Sequence, residues 1–143
     1  MYKIIAPSSK SDYKHYYFCR WELLRKPWDQ SLGTEKDDIE NVSVHRMAVR
    51  DKEVIAVGRL HFLNNTTAQI RYMAVRKEHE KQGIGTAIYI ALEKDAYKNG
   101  IKLITLNARD HAIGFYKKLG FSVIKKTNLL FKQIQHYEMQ KHL

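Results

Sequence analysis

Cysteine is almost absent from this chain, and that scarcity excludes two classes of protein. Cys19 is the single cysteine, so no internal disulfide can form. Cysteine and histidine also do not recur at the spacing of a zinc site, and we predict no metal. Because Cys19 lies among aromatic residues in a helical pattern, we expect it to be buried rather than to act as a nucleophile.

Long apolar runs are absent as well. None approaches the roughly 20 residues that a membrane-spanning helix needs. The first five residues, Met1-Tyr2-Lys3-Ile4-Ile5, are too short a stretch, and too soon interrupted, for a secretion signal. With neither a signal nor a disulfide, we expect a protein of the reducing cytoplasm that has no membrane partner.

Charge and length indicate one basic globular domain. The chain has 143 residues, is 44% hydrophobic and carries a formal net charge of +10, so we predict a single domain over residues 1–143. A basic surface attracts anions such as nucleic acid or a polyphosphate cofactor. The lysines and arginines are scattered, with no basic arm and no nucleic-acid-reading motif, and we therefore expect no nucleic-acid partner.

The apolar periodicity predicts a mixed sheet with three helices. We predict strands at 2–6, 42–49, 53–63, 67–75, 101–106, 121–126 and 134–141, and helices at 12–26, 85–99 and 110–119. Three consecutive antiparallel strands would precede a βαβ unit built from 70–75, 85–99 and 101–106. The fold class is α/β, with a mixed sheet.

A glycine-rich turn stands at the centre of this arrangement. Gln82-Gly83-Ile84-Gly85-Thr86 follows a strand and opens a helix. A helix start exposes unpaired N–H groups and carries roughly half a positive charge, which together favour a phosphate or pyrophosphate. A tight turn with a helix cap would account for the same glycines. No Gly-Lys-Ser/Thr ending follows, so Mg-ATP is disfavoured.

A second segment identifies a family. Residues 107–121, Asn-Ala-Arg-Asp-His-Ala-Ile-Gly-Phe-Tyr-Lys-Lys-Leu-Gly-Phe, closely resemble a signature of the GCN5-related N-acetyltransferases (GNAT), and the glycine turn resembles that family's pyrophosphate loop. The tail at 134–139 resembles the last strand of the ElaA-like bacterial branch. The resemblance implies a single GNAT domain, in which antiparallel strands precede a βαβ unit with splayed central strands.

The resemblance implies acetyl-CoA as co-substrate. Its pantetheine arm would bond to the β-strand edge and its pyrophosphate to the turn, and Asn107 or Arg109 would contact the arm, a choice that stays open. The cofactor-binding residues implied are Met73, Ala74, Val75, Lys81, Gln82, Gly83, Ile84, Gly85, Thr86, Asn107 and Arg109. A backbone N–H near Ala74 would stabilise the oxyanion. Arg76, Lys77 and Lys81 would add charge, whereas Glu80 stands where the family usually has Arg or Gln.

Tyr116 occupies the family position of the general acid that protonates the leaving thiolate. The general base is less clear, because His45, His61 and His136 all lie on predicted strands. Hairpin parity about the turn at 51–52 would place His45 and His61 on opposite faces of the sheet. We choose His61 as the catalytic base, with a chain of waters as the alternative.

The acceptor pocket falls on the irregular segment at 27–41, which in the family lines it. Trp28, Asp29 and Gln30 are therefore candidate substrate contacts, although Trp28 packing beneath the loop would explain it equally well. We expect the acceptor to be an amine of a small molecule or a peptide. The family is often dimeric, so a homodimer is expected as well. A CoA-binding regulatory module without transfer activity is the alternative function.

Overall fold

Three helices pack on a seven-stranded sheet in this computed structural model, which describes all 143 residues. The strands are β1 (Lys3–Ile5), β2 (Val44–Arg50), β3 (Glu53–Phe62), β4 (Thr67–Val75), β5 (Leu103–Arg109), β6 (Ser122–Leu130) and β7 (Ile134–His142), and the helices are α1 (Lys10–Leu24), α2 (Ile84–Lys98) and α3 (Ile113–Lys118). The strand order is β1-β2-β3-β4-β5-β7-β6. Every pair is antiparallel except β4 and β5. The predicted mixed sheet is confirmed.

The helices cover the two faces of the sheet. On β3, Val57 packs with Tyr16 and Cys19 of α1, whereas its neighbour Gly58 faces α2. A Cβ at Gly58 would lie 2.6 Å from Cγ2 of Ile88, so glycine is what lets α2 approach the sheet so closely. The larger core, between the sheet and α2 and α3, holds most of the buried apolar residues. Cys19 is fully buried, as predicted.

β4 and β5 separate after the first four residues of each strand. Their parallel pairing runs from Thr67 with Leu103 to Ile70 with Leu106 and then stops, although both strands continue for several residues. On its other edge β4 stays paired with β3 through a bulge, where Tyr72 has a φ of 58°. The bulge bends β4 away from β5, and a gap opens between residues 71–75 and residues 107–109.

Most element boundaries follow the sequence prediction. β4 matches its predicted bounds, and α2 is displaced by one residue at each end. α1 starts two residues early because Ser9 and Asp12 form a capping box. β6 extends four residues beyond its prediction, since it is an edge strand exposed on both faces and lacks an apolar alternation. No helix is both long enough and apolar enough to cross a membrane.

Candidate active site

The glycine turn presents a row of unbonded amides. None of the N–H groups of residues 81–86 donates to an acceptor in the protein, and the first N–H to do so is that of Ala87, to the carbonyl of Gly83. Gly83 is the helix N-cap, with a φ of 78° and no side chain to satisfy the first turn of α2. The arrangement leaves several donors and the positive end of the helix dipole open to an anion.

The start of α2 also meets α3 and the end of β4. A Cβ at Gly85 would lie 3.3 Å from Cζ of Phe115 and 3.5 Å from Cγ2 of Val75. Tyr116 is the next residue along α3. The three segments that carry the predicted cofactor and acid residues converge here.

Arg50 lies at this turn and was not found from the sequence. One of its Nη atoms donates to Oε1 of Gln82 at 3.2 Å and to Nδ1 of His79 at 3.1 Å. Neither acceptor is a carboxylate, and Arg50 forms no ion pair. It comes from the end of β2, far away in sequence, and the order β2-β3-β4 in the sheet brings it beside the turn.

Arg76, in contrast, does not serve the turn, and the prediction that it adds charge there is wrong. Its Nη1 donates to Oε1 of Glu22 at 2.6 Å, and its Nε donates to the carbonyl of Val54. These bonds tie β4 to α1 and β3. Lys77, Glu80 and Lys81 are exposed around the turn.

The edge of β4 that faces the gap follows from strand alternation. The N–H of Arg76 donates to the carbonyl of Ile55 on β3, so Ala74, two residues earlier and paired with Val57, also turns its backbone towards β3. Met73 and Val75 then turn theirs towards the gap, where β5 no longer pairs. Of the three predicted residues, Met73 and Val75 offer free backbone groups, and Ala74 does not.

Tyr116 is nearly buried on α3, with 7% of its surface exposed. Its ring packs edge-to-face against Phe115 and Phe121, at centroid distances of 4.9 and 5.7 Å. The hydroxyl makes no hydrogen bond in the protein, and it is not completely shielded from solvent. Burial raises the pKa of the Tyr116 phenol well above its ordinary value, which keeps the proton on the oxygen at neutral pH.

The histidines do not lie as hairpin parity predicted. His45 pairs with Arg59, and Arg59 and His61 are two residues apart, so His45 and His61 share a face of the sheet. The prediction of opposite faces is wrong because the register shifts by one residue between Ala48 and Val49. That bulge has no clear signal in the sequence.

His61 is poorly placed to act as a base. Arg59, which only donates hydrogen bonds, donates to Nδ1 of His61 at 3.2 Å, so the neutral ring carries its proton on Nε2. Burial and the neighbouring Arg59 lower the pKa of His61. It also lies on β3, one strand away from the gap. His136, the β7 partner of Arg109, borders the open end of the gap instead, and burial lowers its pKa as well.

A cavity of about 240 Å³ adjoins the end of β5. Its lining residues come from three segments, and they are Trp28, Arg109, Asp110, His111, Gln133, Ile134 and Gln135. Trp28 also stacks on Phe131 of the β6–β7 turn. A larger groove of about 540 Å³ lies outside α1, but no residue of the gap, the turn or α3 borders it.

The remaining predicted residues are less central. Asp29 is exposed at a left-handed φ of 56°, and the side chain of Gln30 folds back onto the carbonyl of Trp28. Of the predicted acceptor contacts, only Trp28 lines the cavity. Asn107 is exposed and accepts a weak hydrogen bond from Thr127, whereas Arg109 points into the cavity.

An open parallel strand pair beside an unpaired helix start is the framework of an acyl-CoA-dependent transferase, and the comparisons with known proteins agree. Residues 8–121 match the model of the acetyltransferase (GNAT) family. The chain belongs to that family, whose co-substrate is acetyl-CoA. It is therefore an acetyl-CoA-dependent acyltransferase.

The relatives cover the chain from end to end. The uncharacterized N-acetyltransferase YjcF of Bacillus subtilis is 29% identical over 97% of this chain and 99% of its own length. A putative N-acetyltransferase from Lactobacillus plantarum superposes with a TM-score of 0.85 at 19% identity, covering 99% of this chain and 98% of that one. Escherichia coli ElaA gives 0.80 at 18% identity, with 99% of each chain covered.

A structure solved with acetyl-CoA shares the fold as well. The GNAT acetyltransferase of Elizabethkingia anophelis gives a TM-score of 0.72 at 17% identity, covering 99% of this chain and 98% of that one. At these identities, the structural likenesses establish the fold alone.

Proposed function

We propose that the protein transfers the acetyl group of acetyl-CoA to a primary amine of a small molecule or peptide, by direct attack of the amine on the thioester. The observation that carries this proposal is that the end of β4, the start of α2 and α3 meet around Gly85. These segments hold the unbonded amides of residues 81–86, the free edge of β4 and the Tyr116 hydroxyl, which has no protein partner.

The pyrophosphate of the cofactor would lie on the amides of residues 81–86, with Arg50 adding charge at the same turn. The pantetheine arm would bond to the backbone of Met73 and Val75, as an added strand would. This arrangement would direct the thioester towards the bulge at Tyr72, where we expect the Tyr116 hydroxyl to reach it from α3.

The neutral amine attacks the thioester carbonyl, and the developing oxyanion is stabilised by a free backbone N–H of Met73 or Val75. As the C–S bond breaks, the sulfur takes the proton of the Tyr116 hydroxyl. Because burial raises the pKa of Tyr116, the phenol holds this proton across the neutral and mildly alkaline range. The proton of the amine passes to water or to His136, rather than to His61.

The alternative is a module that binds CoA without transferring the acetyl group, motivated by Glu80 and by the lack of a fixed base. Membership of the transferase family weighs against it. Acetyl-CoA binding without turnover on a broad amine panel would support the module, and acetylation of any amine in that panel would exclude it.

Two further proposals concern the oligomeric state of the enzyme and its cellular compartment. The exposed edge strand β6, with Val123, Ile124 and Leu129 at its surface, supports a homodimer. The single buried cysteine supports a reducing cytoplasm.

Tyr116→Phe tests the proposed chemistry. The variant keeps the ring packing, and because the hydroxyl has no protein partner we expect the melting temperature to stay close to that of the wild type. Loss of the acid should lower kcat by about 100-fold, the lower end of the usual range for such a group. Steady-state kinetics with a responsive amine measures the change, and acetyl-CoA binding by thermal shift shows whether the cofactor site survives.

Tyr97→Phe is the matched control, because Tyr97 is an exposed tyrosine near the end of α2, away from the gap. It should leave kcat unchanged. If Tyr116→Phe also retained full kcat, Tyr116 would not be the acid. If acetyl-CoA failed to bind the wild type at near-millimolar concentration, the transferase itself would be refuted.

A further inference from the structure

Two arginines flank the gap on the same face of the sheet. Arg71 is the first β4 residue beyond the last parallel pair, Ile70 with Leu106, and Arg109 is the last residue of β5. Arg71 pairs with Arg59 of β3, whose guanidinium lies on the α1 side of the sheet. Arg109 is three residues beyond Leu106, which faces α2, so strand alternation also places Arg109 on the α1 side.

A third arginine, at the end of α1, lies close to these two. Arg25, just beyond the end of α1, is 8% exposed, and its guanidinium lies 5.7 Å from the ring of Tyr72 at the β4 bulge and 5.6 Å from the ring of Phe131. It donates to the carbonyls of Thr34 and Leu24, and neither of these is a charged acceptor.

The acids of this face are already engaged elsewhere. Asp37 bonds both Nη atoms of Arg59 at 2.7 and 2.9 Å and reaches Arg71 only at 3.2 Å. Glu40 bonds Arg20 and Arg59. Glu35 is buried and accepts from the N–H of Gly33.

Arg109 has no such partner. Its guanidinium makes no hydrogen bond to any protein group, and it lines the 240 Å³ cavity with Asp110, which is exposed. The desolvating surroundings and the nearby Arg25 lower the pKa of Arg109, as expected for a cation that lacks a neutralising carboxylate. The acceptor side of the gap therefore holds uncompensated positive charge.

We infer that the acceptor is an amine that also carries an oxyanion group, a carboxylate or a phosphate, and that Arg109 binds this group in the cavity while the amine reaches into the gap. The inference rests on the proposed transferase function and assigns Arg109 to the acceptor rather than to the pantetheine arm. A planar guanidinium bonds either oxyanion through two parallel N–H groups. The cavity volume is about that of eight water molecules, enough for a short anionic chain.

The field in this cavity disfavours polycationic acceptors. An ammonium group placed beside Arg109 and Arg25 would meet like charges in a partly desolvated site. Asp110 is the only carboxylate among the residues that line the cavity, and it is exposed. The class of acceptor follows from this charge balance and not from the fold.

Matched amine pairs test the inference. Glycylglycine is compared with glycylglycinamide, and O-phosphoethanolamine with ethanolamine, so that each pair differs mainly in the oxyanion. A polyamine, spermidine, completes the panel. For the wild type we expect kcat/KM to be about tenfold or more higher for the anionic member of at least one pair, the gain of one charge-assisted contact. Which pair responds distinguishes carboxylate from phosphate.

Arg109→Gln should reduce that preference to about twofold or less by raising KM for the anionic acceptor, with little change in KM for acetyl-CoA. Arg71→Gln, at an exposed and more tolerant position, should reduce it in the same direction. Lys102→Gln removes one positive charge from an exposed site away from the cavity and should keep the preference. Equal use of both members by the wild type, or a preference that survives in Arg109→Gln, would overturn the inference.

Binding is measured separately from turnover. The CoA-bound protein should gain thermal stability with millimolar O-phosphoethanolamine or glycylglycine but not with their neutral partners, and Arg109→Gln should lose the gain. If no amine is acetylated but this gain is present, the proposed transfer fails and the anion site stands. If amines are acetylated without any such gain or preference, the anion site fails and the transferase stands.

Discussion

Single side chains carry most of the chemistry that we assign to this protein. Burial among aromatic rings raises the pKa of Tyr116 and so keeps the proton on its oxygen, and the hydroxyl has no hydrogen-bond partner in the protein. Arg50 and Arg109 each present a guanidinium without a carboxylate partner, one near the phosphate turn and one in the acceptor cavity. Unpaired polar groups in partly buried positions are where a ligand gains most.

Arg50→Gln should weaken acetyl-CoA binding. The substitution removes a positive charge whose side-chain hydrogen bonds go only to Gln82 and His79, so we expect the Kd for acetyl-CoA to rise by about tenfold, and more steeply at low ionic strength. Isothermal titration calorimetry at two salt concentrations gives the measurement. An unchanged Kd would show that Arg50 does not face the pyrophosphate, and Lys102→Gln again controls for net charge.

Asp37 makes the stability of the fold depend on pH in the acidic range. Its hydrogen bond to the Arg59 guanidinium is the main cause that lowers the Asp37 pKa to about 2, against 3.8 when unperturbed. A lowered folded pKa stabilises the protein above the unfolded pKa, and this stabilisation is lost as the pH falls from about 4 to about 2. It amounts to about 2 kcal/mol at most.

The matching experiment is urea unfolding of the wild type and Asp37→Asn between pH 2 and pH 7. We expect the variant to be less stable at pH 7 and the difference to shrink towards pH 2. Asp38→Asn, an exposed neighbour without an ion pair, should match the wild type throughout. A difference in unfolding free energy between the wild type and Asp37→Asn that did not change with pH would contradict the assignment.

At the scale of the element, the gap exists because β4 and β5 stop pairing after Ile70 and Leu106. The glycine turn depends on the left-handed backbone conformation of Gly83. Gly83 has a φ of 78° and open space around its Cβ position, which is the space where the pyrophosphate would lie. Gly83→Ala should therefore destabilise the fold by about 1 kcal/mol through strain and weaken acetyl-CoA binding further by obstructing the site.

Gly100→Ala supplies the comparison, because Gly100 has a φ of 73° and equally open surroundings at the far end of α2. It should lose similar stability but bind acetyl-CoA as the wild type does. Thermal denaturation and titration of both variants separate strain from obstruction. Equal acetyl-CoA affinity in the two variants would argue against a phosphate at Gly83.

The elements also show how far the sequence was informative. Strands and helices with clear periods, such as β4 and α2, were predicted almost to the residue, because burial of one face imposes a period. Strand pairing was harder to predict. The shift between Ala48 and Val49 places His45 and His61 on the same face instead of opposite faces. The bulge at Tyr72 and the end of β4–β5 pairing leave no periodic signal either.

On the scale of the whole molecule, the family and its cofactor followed from two local motifs, whereas the acceptor side did not. Arg25, Arg50 and Arg71 come from three distant parts of the chain, and only the folded sheet brings them to the site. The net charge of +10 gave no indication of where positive charge is left uncompensated. That information lies in the pairing of each arginine.

The central claim is that acetyl-CoA lies in the gap between β4 and β5 with its thioester beside Tyr116. A crystal structure of the complex with acetyl-CoA tests it most directly. We expect the pyrophosphate to lie on the amides of residues 81–86, the pantetheine arm to bond to Met73 and Val75, and the thioester sulfur to lie within hydrogen-bonding distance of the Tyr116 hydroxyl. A cofactor bound outside the gap, or a Tyr116 hydroxyl directed away from the sulfur, would contradict the account.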